Sequence, residues 1–434
     1  MSEPDEMQWK KPFEGLRVAD FAWVGVGPTV SKYLADQGAE VIRIESSTYP
    51  EALRRVPPFV NDQPGLDNSG YYANFNSSKL GMTVNLKHPR GPELVKRLIR
   101  ECDVVTESFT PGTMARFGLD YASLSEGRDD LVMISMPLYG QTGRWSSYMG
   151  YGHVLQAAAG YNHLTGWADE PPIGTGIAYT DFLVPHFAAI ALIAALDHRR
   201  RTGQGQFIDF GQMEAAVHGL GTAILDWTAN GHEQTRMGNR DPEAAPHGCY
   251  RCKDGRYIVL ACFTEKQWDG FKAALGRPDW CDLERMRRRW QRLNEQKEID
   301  RHIQAWIEDV TLDPAHPEPD DPDDSPDTPK VERLTTEQLM MHFQKFGVPC
   351  GIVNSPEAMR SDPQIAHRQH YWMLEHPTMG LRSYDGPAFR LSGTPSELTK
   401  AAPLLGGDNE YVYRELVGLS EEEFVELLAD GAFE

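Results

Sequence analysis

The sequence predicts an α/β protein: a doubly wound, Rossmann-like large domain and a smaller α+β domain. Three observations carry this. Near the N-terminus an apolar run passes through glycine and proline into a helical pattern and then a second apolar run, a βαβ unit that implies a parallel sheet buried under helices. The pattern recurs to about residue 140, and beyond Arg236 the texture changes to short strands and helices rich in Trp and Arg. At 434 residues the chain is also too long for one ordinary core.

The first strand is read in Leu16 to Phe21 of "LRVADFAWVGVGP", and the helix after it in "TVSKYLADQG", which Gly38 ends. "AEVIRIE" is the next strand. Helix "GPELVKRLIREC", strand "DVVTES", loop "FTPG", helix "TMARFG" and strand "LVMISMPLYG" follow. Asp181 then heads a strongly apolar helix, "FLVPHFAAIALIAALDHRRR", closed by basic residues and the glycines of "TGQGQ" as the helix dipole and a left-handed cap favour. "FIDFG" reads as a strand and "MEAAVHGLGTAILDWTANG" as a helix. In the second domain, "CYRCKDGRYIVLACF" reads as two strands joined by a KDG turn. The segment 312–330, "LDPAHPEPDDPDDSPDTPK", has too much proline and aspartate for a packed core and is expected to be a disordered, solvated loop. Order returns with "LMMHFQKFGVPCGIVNSPEAM".

The formal charge is −20, so the global field repels nucleic acid and anionic membrane, and an anionic ligand must be met by a local basic cluster. No apolar run is read as a membrane span, and the charged N-terminus does not resemble a signal peptide. A cytoplasmic protein is expected. The six cysteines, at 102, 249, 252, 262, 281 and 350, form no disulfide framework. The "CYRC" pair has zinc-ligand spacing without a second pair at a usable distance, so no metal site is expected.

Candidate chemistry centres on the strand ends. The loop "WVGVGPTV" fails the dinucleotide fingerprint, because Pro28 and Thr29 follow Gly27 where a third small residue belongs, yet a loop at a strand's carboxyl end remains a ligand site. Asp181 reads as a helix N-cap whose carboxylate is held ionised by backbone amides. That role is compatible with a nucleophile if the helix opens onto a cleft. His153 and His163 are candidate general bases, and the basic run "DHRRR" reads as a complement to the helix dipole.

Taken together, "GLRVADF…GP", "GAEVIRIE", "NLKHPRG", "ESFTPGTMARFGLDY", "TDF" before the long helix, "HRRRTGQGQFIDFGQMEA", "FGVPCGIV" and "APLLG" resemble the class III CoA-transferases, the family of formyl-CoA and carnitine CoA-transferases, to which α-methylacyl-CoA racemase is related. The resemblance runs from about Phe13 to the C-terminus. It implies a large domain over 1–225, a linker over 226–238, a small domain over 239–362, and a return to the large domain over 363–434. It also implies an interlocked dimer, either of identical chains or with a paralogue. By resemblance Asp181 is the nucleophile, forming an acyl anhydride and then a CoA thioester. CoA-contacting positions fall on Gly25, Val26, Val84, Asn85, Lys87, Ser108, Phe109, Thr110, Arg116 and Tyr151. Coenzyme A and its acyl thioesters, possibly succinyl-CoA among the donors, enter as substrates, with a free carboxylic acid as acceptor and no tightly bound cofactor.

Two basic positions of formyl-CoA transferase are replaced here by Ser46 and Met149, so phosphate contacts are expected from elsewhere, with Arg43, Arg54 and Arg55 as the candidates. A racemase would need a second base where Tyr151 stands, and His153 lies two residues away. The alternatives to a transferase are therefore a 2-methylacyl-CoA racemase and a non-catalytic subunit that binds CoA thioesters, in which Asp181 would be only a cap.

Overall fold

The computed structural model describes residues 10–312 and 333–434, so the acidic segment expected to be a disordered loop lies, apart from Leu312, outside the described residues. Six short strands, β1 (Arg17–Asp20), β2 (Glu40–Glu45), β3 (Leu80–Thr83), β4 (Val104–Glu107), β5 (Val132–Ser135) and β6 (Gln206–Asp209), form one sheet in the order β3-β2-β1-β4-β5-β6. Every neighbouring pair is parallel. Helices cover both faces of such a sheet, which is why β1, β2, β4 and β5 carry runs of buried Val and Ile in place of alternation. On one face Ile42, Ile44, Val105 and Met133 pack against Leu94 and Leu98 of the helix Gly91–Arg100 and against Tyr413 and Phe433 near the C-terminus. On the other, Val18, Val41, Val104 and Ile134 meet Val30 and Leu34 of α1 (Val26–Asp36) and Val184, Ala188 and Leu192 of the long helix Tyr179–Thr202.

Strand β3 has no sequence signal of its own. It is four residues long and contains Gly81, where a Cβ would stand 2.5 Å from the Leu404 carbonyl oxygen, so the glycine is dictated by a segment more than 300 residues away. The long helix departs from expectation in two respects. It begins at Tyr179, with Ala178 in the cap position, so Asp181 lies within the first turn and is not the N-cap. Moreover, its mean hydropathy of 1.6 over 18 residues and its length suffice to cross a membrane, contrary to the reading that no run did. Only one face of this helix is buried in the sheet's core. Gly203 ends it in the left-handed region (φ 76°) and donates to the Arg199 carbonyl at 2.8 Å. The helix read over 213–231 is broken into Gln212–Val217, a 3₁₀ turn at His218–Leu220, and Gly221–Asn230.

The chain divides into two units: Met1–Leu164, Ile173–Gln234 and Ile365–Glu434 form the first, and Thr165–Pro172 with Thr235–Gln364 the second. Thr165–Pro172 groups with the second unit although the sequence placed it in the large domain. Gly238 N–H donates to the Gly166 carbonyl at 2.8 Å, a link between segments that sequence distance conceals. The second unit is an antiparallel sheet of β7 (His247–Arg251), β8 (Tyr257–Ala261) and β9 (Cys350–Val353), on which Phe271, Ile303 and Phe343 pack from three helices. In the first unit, a hairpin of β10 (Tyr371–His376) and β11 (Gly380–Asp385) precedes a segment that returns to the sheet, where Tyr413 Oη donates to the Thr83 carbonyl at 2.7 Å.

Candidate active site

In a sheet of this order the connections turn in opposite directions after β1 and β4, and the loops at their carboxyl ends part to leave a crevice. A cleft of about 740 Å³ lies there. Asp181 and the ten CoA-contacting positions implied by the resemblance all line it: Gly25 and Val26 from the loop after β1, Val84, Asn85 and Lys87 after β3, Ser108, Phe109 and Thr110 after β4, Arg116 from the short helix Thr113–Arg116, and Tyr151 before the helix Gly152–Ala158; His153 does not. The loop after β4 is held from beneath by buried Glu107, which accepts the Phe109 N–H at 2.7 Å. Trp23 stacks on Tyr49 and meets Phe109 edge-on at 5.7 Å, giving one wall a flat aromatic surface.

The loop after β1 takes an unusual path. Val24 has φ 65°, a left-handed conformation that a β-branched residue adopts only under constraint and at a cost of about 1–3 kcal/mol. Its N–H donates at 2.7 Å to Glu51 Oε1, and Glu51 is fully buried with its other oxygen 2.8 Å from Arg43 Nη2. The turn brings Gly25 against Asp181, so that a Cβ added to Gly25 would lie 3.0 Å from the Asp181 Cβ. Gly152 approaches from the opposite element even more closely, where a Cβ would stand 2.3 Å from Asp181 Oδ1. Two glycines thus make room for one carboxylate.

Asp181 is only 6% exposed, and among the described residues nothing donates a hydrogen bond to its carboxylate. Burial pushes its pKa up to about 6, partly offset by the charge of nearby His153. The N-cap reading expected the opposite, a carboxylate held ionised by helix amides. Pro185 adds a further consequence: lacking an N–H, it leaves the Asp181 carbonyl without its usual helical donor. The sequence offered no signal for Tyr71, whose hydroxyl is pushed up by burial and by the Asp181 charge. It offered only weak signals for Gly152 in "YMGYGH" and for Trp23 beside Val24.

The cations of the cleft are Lys87 and Arg116, both exposed and neither paired with an acid among the described residues. Arg43 and Arg54 do not serve as replacement phosphate contacts. Both are fully buried, Arg43 against Asp20 and Glu51, Arg54 against Glu45 and Asp67, and desolvating them is tolerable only because those acids surround them. Arg55 is exposed and does not line the cleft; Ser46 lines it and Met149 does not. His163 lies 3.5 Å from Glu233 and does not line the cleft. In the basic run, Arg199 pairs with Asp103 and Asp130, and Arg200 and Arg201 with Asp197. No group of three His, Cys, Asp or Glu converges as metal ligands among the described residues.

The model of one family, described as CoA-transferase family III, matches residues 13–317 and 330–409, nearly the whole chain. The chain belongs to that family. This CoA-transferase is 31% identical over 425 residues to the succinyl-CoA:glutarate CoA-transferase of Mus musculus, covering 98% of this chain and 91% of that protein. It is 30% identical over 419 residues to the succinyl-CoA–D-citramalate CoA-transferase of Chloroflexus aurantiacus, covering 96% and 97%. Among solved structures, a CAIB/BAIF family protein from Brucella suis matches with a TM-score of 0.80 and 27% identity over 94% of this chain and all of that one. The CoA-transferase therefore shares its six-stranded parallel sheet with structures of that family, and its cleft at the β1/β4 crevice is its candidate active site.

Proposed function

We propose that this CoA-transferase carries CoA from a dicarboxylic acyl-CoA donor of the succinyl-CoA class to a free carboxylic acid, with Asp181 as the covalent relay. The observation that carries the reading is the placement of Asp181: a buried carboxylate, unbonded among the described residues, in a cleft whose other lining residues include two unpaired cations and an aromatic wall. A carboxylate stripped of hydrogen-bonding water is a stronger nucleophile, and at pKa about 6 it is still mostly ionised at neutral pH. Its oxygen attacks the thioester carbonyl and expels CoA thiolate, leaving a mixed anhydride. The thiolate attacks the aspartyl carbonyl, releasing the donor acid and forming an aspartyl-CoA thioester. The acceptor carboxylate then displaces thiolate to give a second anhydride, and the thiolate attacks the acceptor's carbonyl to release the new acyl-CoA and regenerate Asp181.

Lys87 and Arg116 answer the phosphates of CoA, Phe109 packs against the adenine, and Gly25, Val26, Val84, Asn85, Ser108, Thr110 and Tyr151 complete the lining. The enzyme acts as a dimer, of identical chains or with a paralogue, in the cytoplasm. The dimer reading draws support from the outer face of the long helix, where Phe182, Ile190 and Ile193 are exposed, and from Ile224, Leu225 and Trp227, also exposed.

Hydroxylamine added during turnover with succinyl-CoA tests the relay. It should intercept the activated carboxyl as a hydroxamate on the peptide containing "TDFLVPHF", only when the donor is present, with irreversible loss of activity. Label without donor, or on another acid such as Asp197, would overturn it. The proximity of His153 to Asp181 favours a second reading, a racemase using both as bases. A chiral 2-methylacyl-CoA incubated in heavy water separates the two: transfer without α-deuterium is expected, and exchange as fast as transfer would favour the racemase.

A further inference from the structure

The restraint on the loop after β1 extends beyond Val24. Ala22 donates its N–H to Asp20 Oδ1 at 3.1 Å and accepts from Arg43 Nη1 at its carbonyl, and Val24 N–H is held by Glu51. Three backbone groups within three residues are thus anchored to one buried ion cluster, Asp20–Arg43–Glu51, that Lys79 closes from the far side at 3.0 Å from Asp20. None of these four side chains is exposed, none touches the cleft, and neither the anhydride chemistry nor CoA binding employs them. The cluster nevertheless meets the cleft through one strained residue. Without the bond to Glu51, nothing in the backbone of a valine favours φ 65°, and the turn would relax toward the extended region, taking Gly25 away from the carboxylate it now abuts.

We propose that Glu51 is a positioning residue for CoA transfer: it holds Val24 in the left-handed conformation that sets the Gly25 backbone against the Asp181 carboxylate. The proposal rests on the reading of Asp181 as nucleophile. Displacing a reacting group by about an ångström costs on the order of a hundredfold in rate, so a turn that fixes one wall of the nucleophile's pocket acts on kcat more than on acyl-CoA affinity.

The test is a cycle of four proteins, wild type, Glu51→Asp, Val24→Gly and the double variant, assayed with succinyl-CoA and glutarate. Aspartate keeps a charge for Arg43 but is one methylene too short for the Val24 amide. Glutamate-to-aspartate exchange should lower kcat at least tenfold in the wild-type background with the acyl-CoA KM changed less than threefold. In the Val24→Gly background the same exchange should lower kcat less than threefold, because glycine takes a positive φ without a restraint. A purely structural role for Glu51 would give the same factor in both backgrounds, and that result overturns the proposal, as does an undiminished kcat in Glu51→Asp. If Glu51→Asp is unfolded by circular dichroism, Glu51→Gln is assayed instead: its amide oxygen still accepts the Val24 N–H, so kcat should stay within threefold of wild type, and a tenfold fall overturns the proposal. Asp181→Ala is assayed alongside: turnover surviving there rejects the nucleophile itself, an outcome distinguishable from any coupling between positions 51 and 24.

Discussion

Asp181 is a carboxyl whose folded pKa, about 6, lies above the ordinary 3.8, because it is buried and receives no hydrogen bond among the described residues. The folded state therefore binds that proton more tightly than the unfolded state, and ionisation costs stability: nothing below about pH 4, and its full amount above about pH 6. A rise of about two in pKa corresponds to at most about 3 kcal/mol. Asp181→Asn should accordingly melt higher than wild type at pH 8, with a smaller gain at pH 5, while losing turnover; a variant no more stable at pH 8 would contradict the burial argument. For the wild type, kcat at saturating donor should rise with pH through about 6 and level off, since in the proposed relay only the carboxylate attacks. Saturation matters because buried Glu107, pushed up to about 7, titrates nearby and acts through the loop that lines the cleft.

The long helix presents two apolar faces with different roles. Leu192, fully buried against the sheet, belongs to the core, and Leu192→Ala should cost about 2–5 kcal/mol by denaturant unfolding. Ile190 is 65% exposed on the outer face, where an arginine meets no folded neighbour it must displace. If the proposed dimer forms through this face, Ile190→Arg should leave the circular dichroism spectrum unchanged and halve the mass seen by sedimentation equilibrium. An unchanged mass would place the subunit contact elsewhere. Helical periodicity in the sequence locates this helix but does not divide its faces, because alanine, isoleucine and leucine occur around its whole circumference.

Across the molecule, 63 acidic against 43 basic residues repel an acyl-CoA, while Lys87 and Arg116 attract it locally. Salt screens both, so the wild-type KM for acyl-CoA should vary little with ionic strength. In Lys87→Ala/Arg116→Ala the attraction is gone and the repulsion remains: KM should rise about tenfold or more, and added salt should now lower it. A double variant whose KM instead rises with salt would show that other cations hold the phosphates.

Much of this was legible in the linear chain. The β1–α1–β2 unit, the loops after β1 and β4 and the position of Asp181 follow from apolar period, glycine and proline placement and a family pattern, all properties of neighbouring residues. Burial and pairing are not such properties. Arg43 and Arg54 read as basic residues beside a ligand loop, and only the folded chain brings Glu51, Asp20, Glu45 and Asp67 around them and removes them from any phosphate. Asp181 likewise reads as a cap until Gly25 and Gly152, 156 and 29 residues away, close on it and exclude water. Local chemistry along the chain specified which elements form and which carboxylate heads the long helix. The charge state of that carboxylate, the partners of the buried arginines and the left-handed turn at Val24 depend on long-range packing, because desolvation and ion pairing are set by whatever the fold places within a few ångströms.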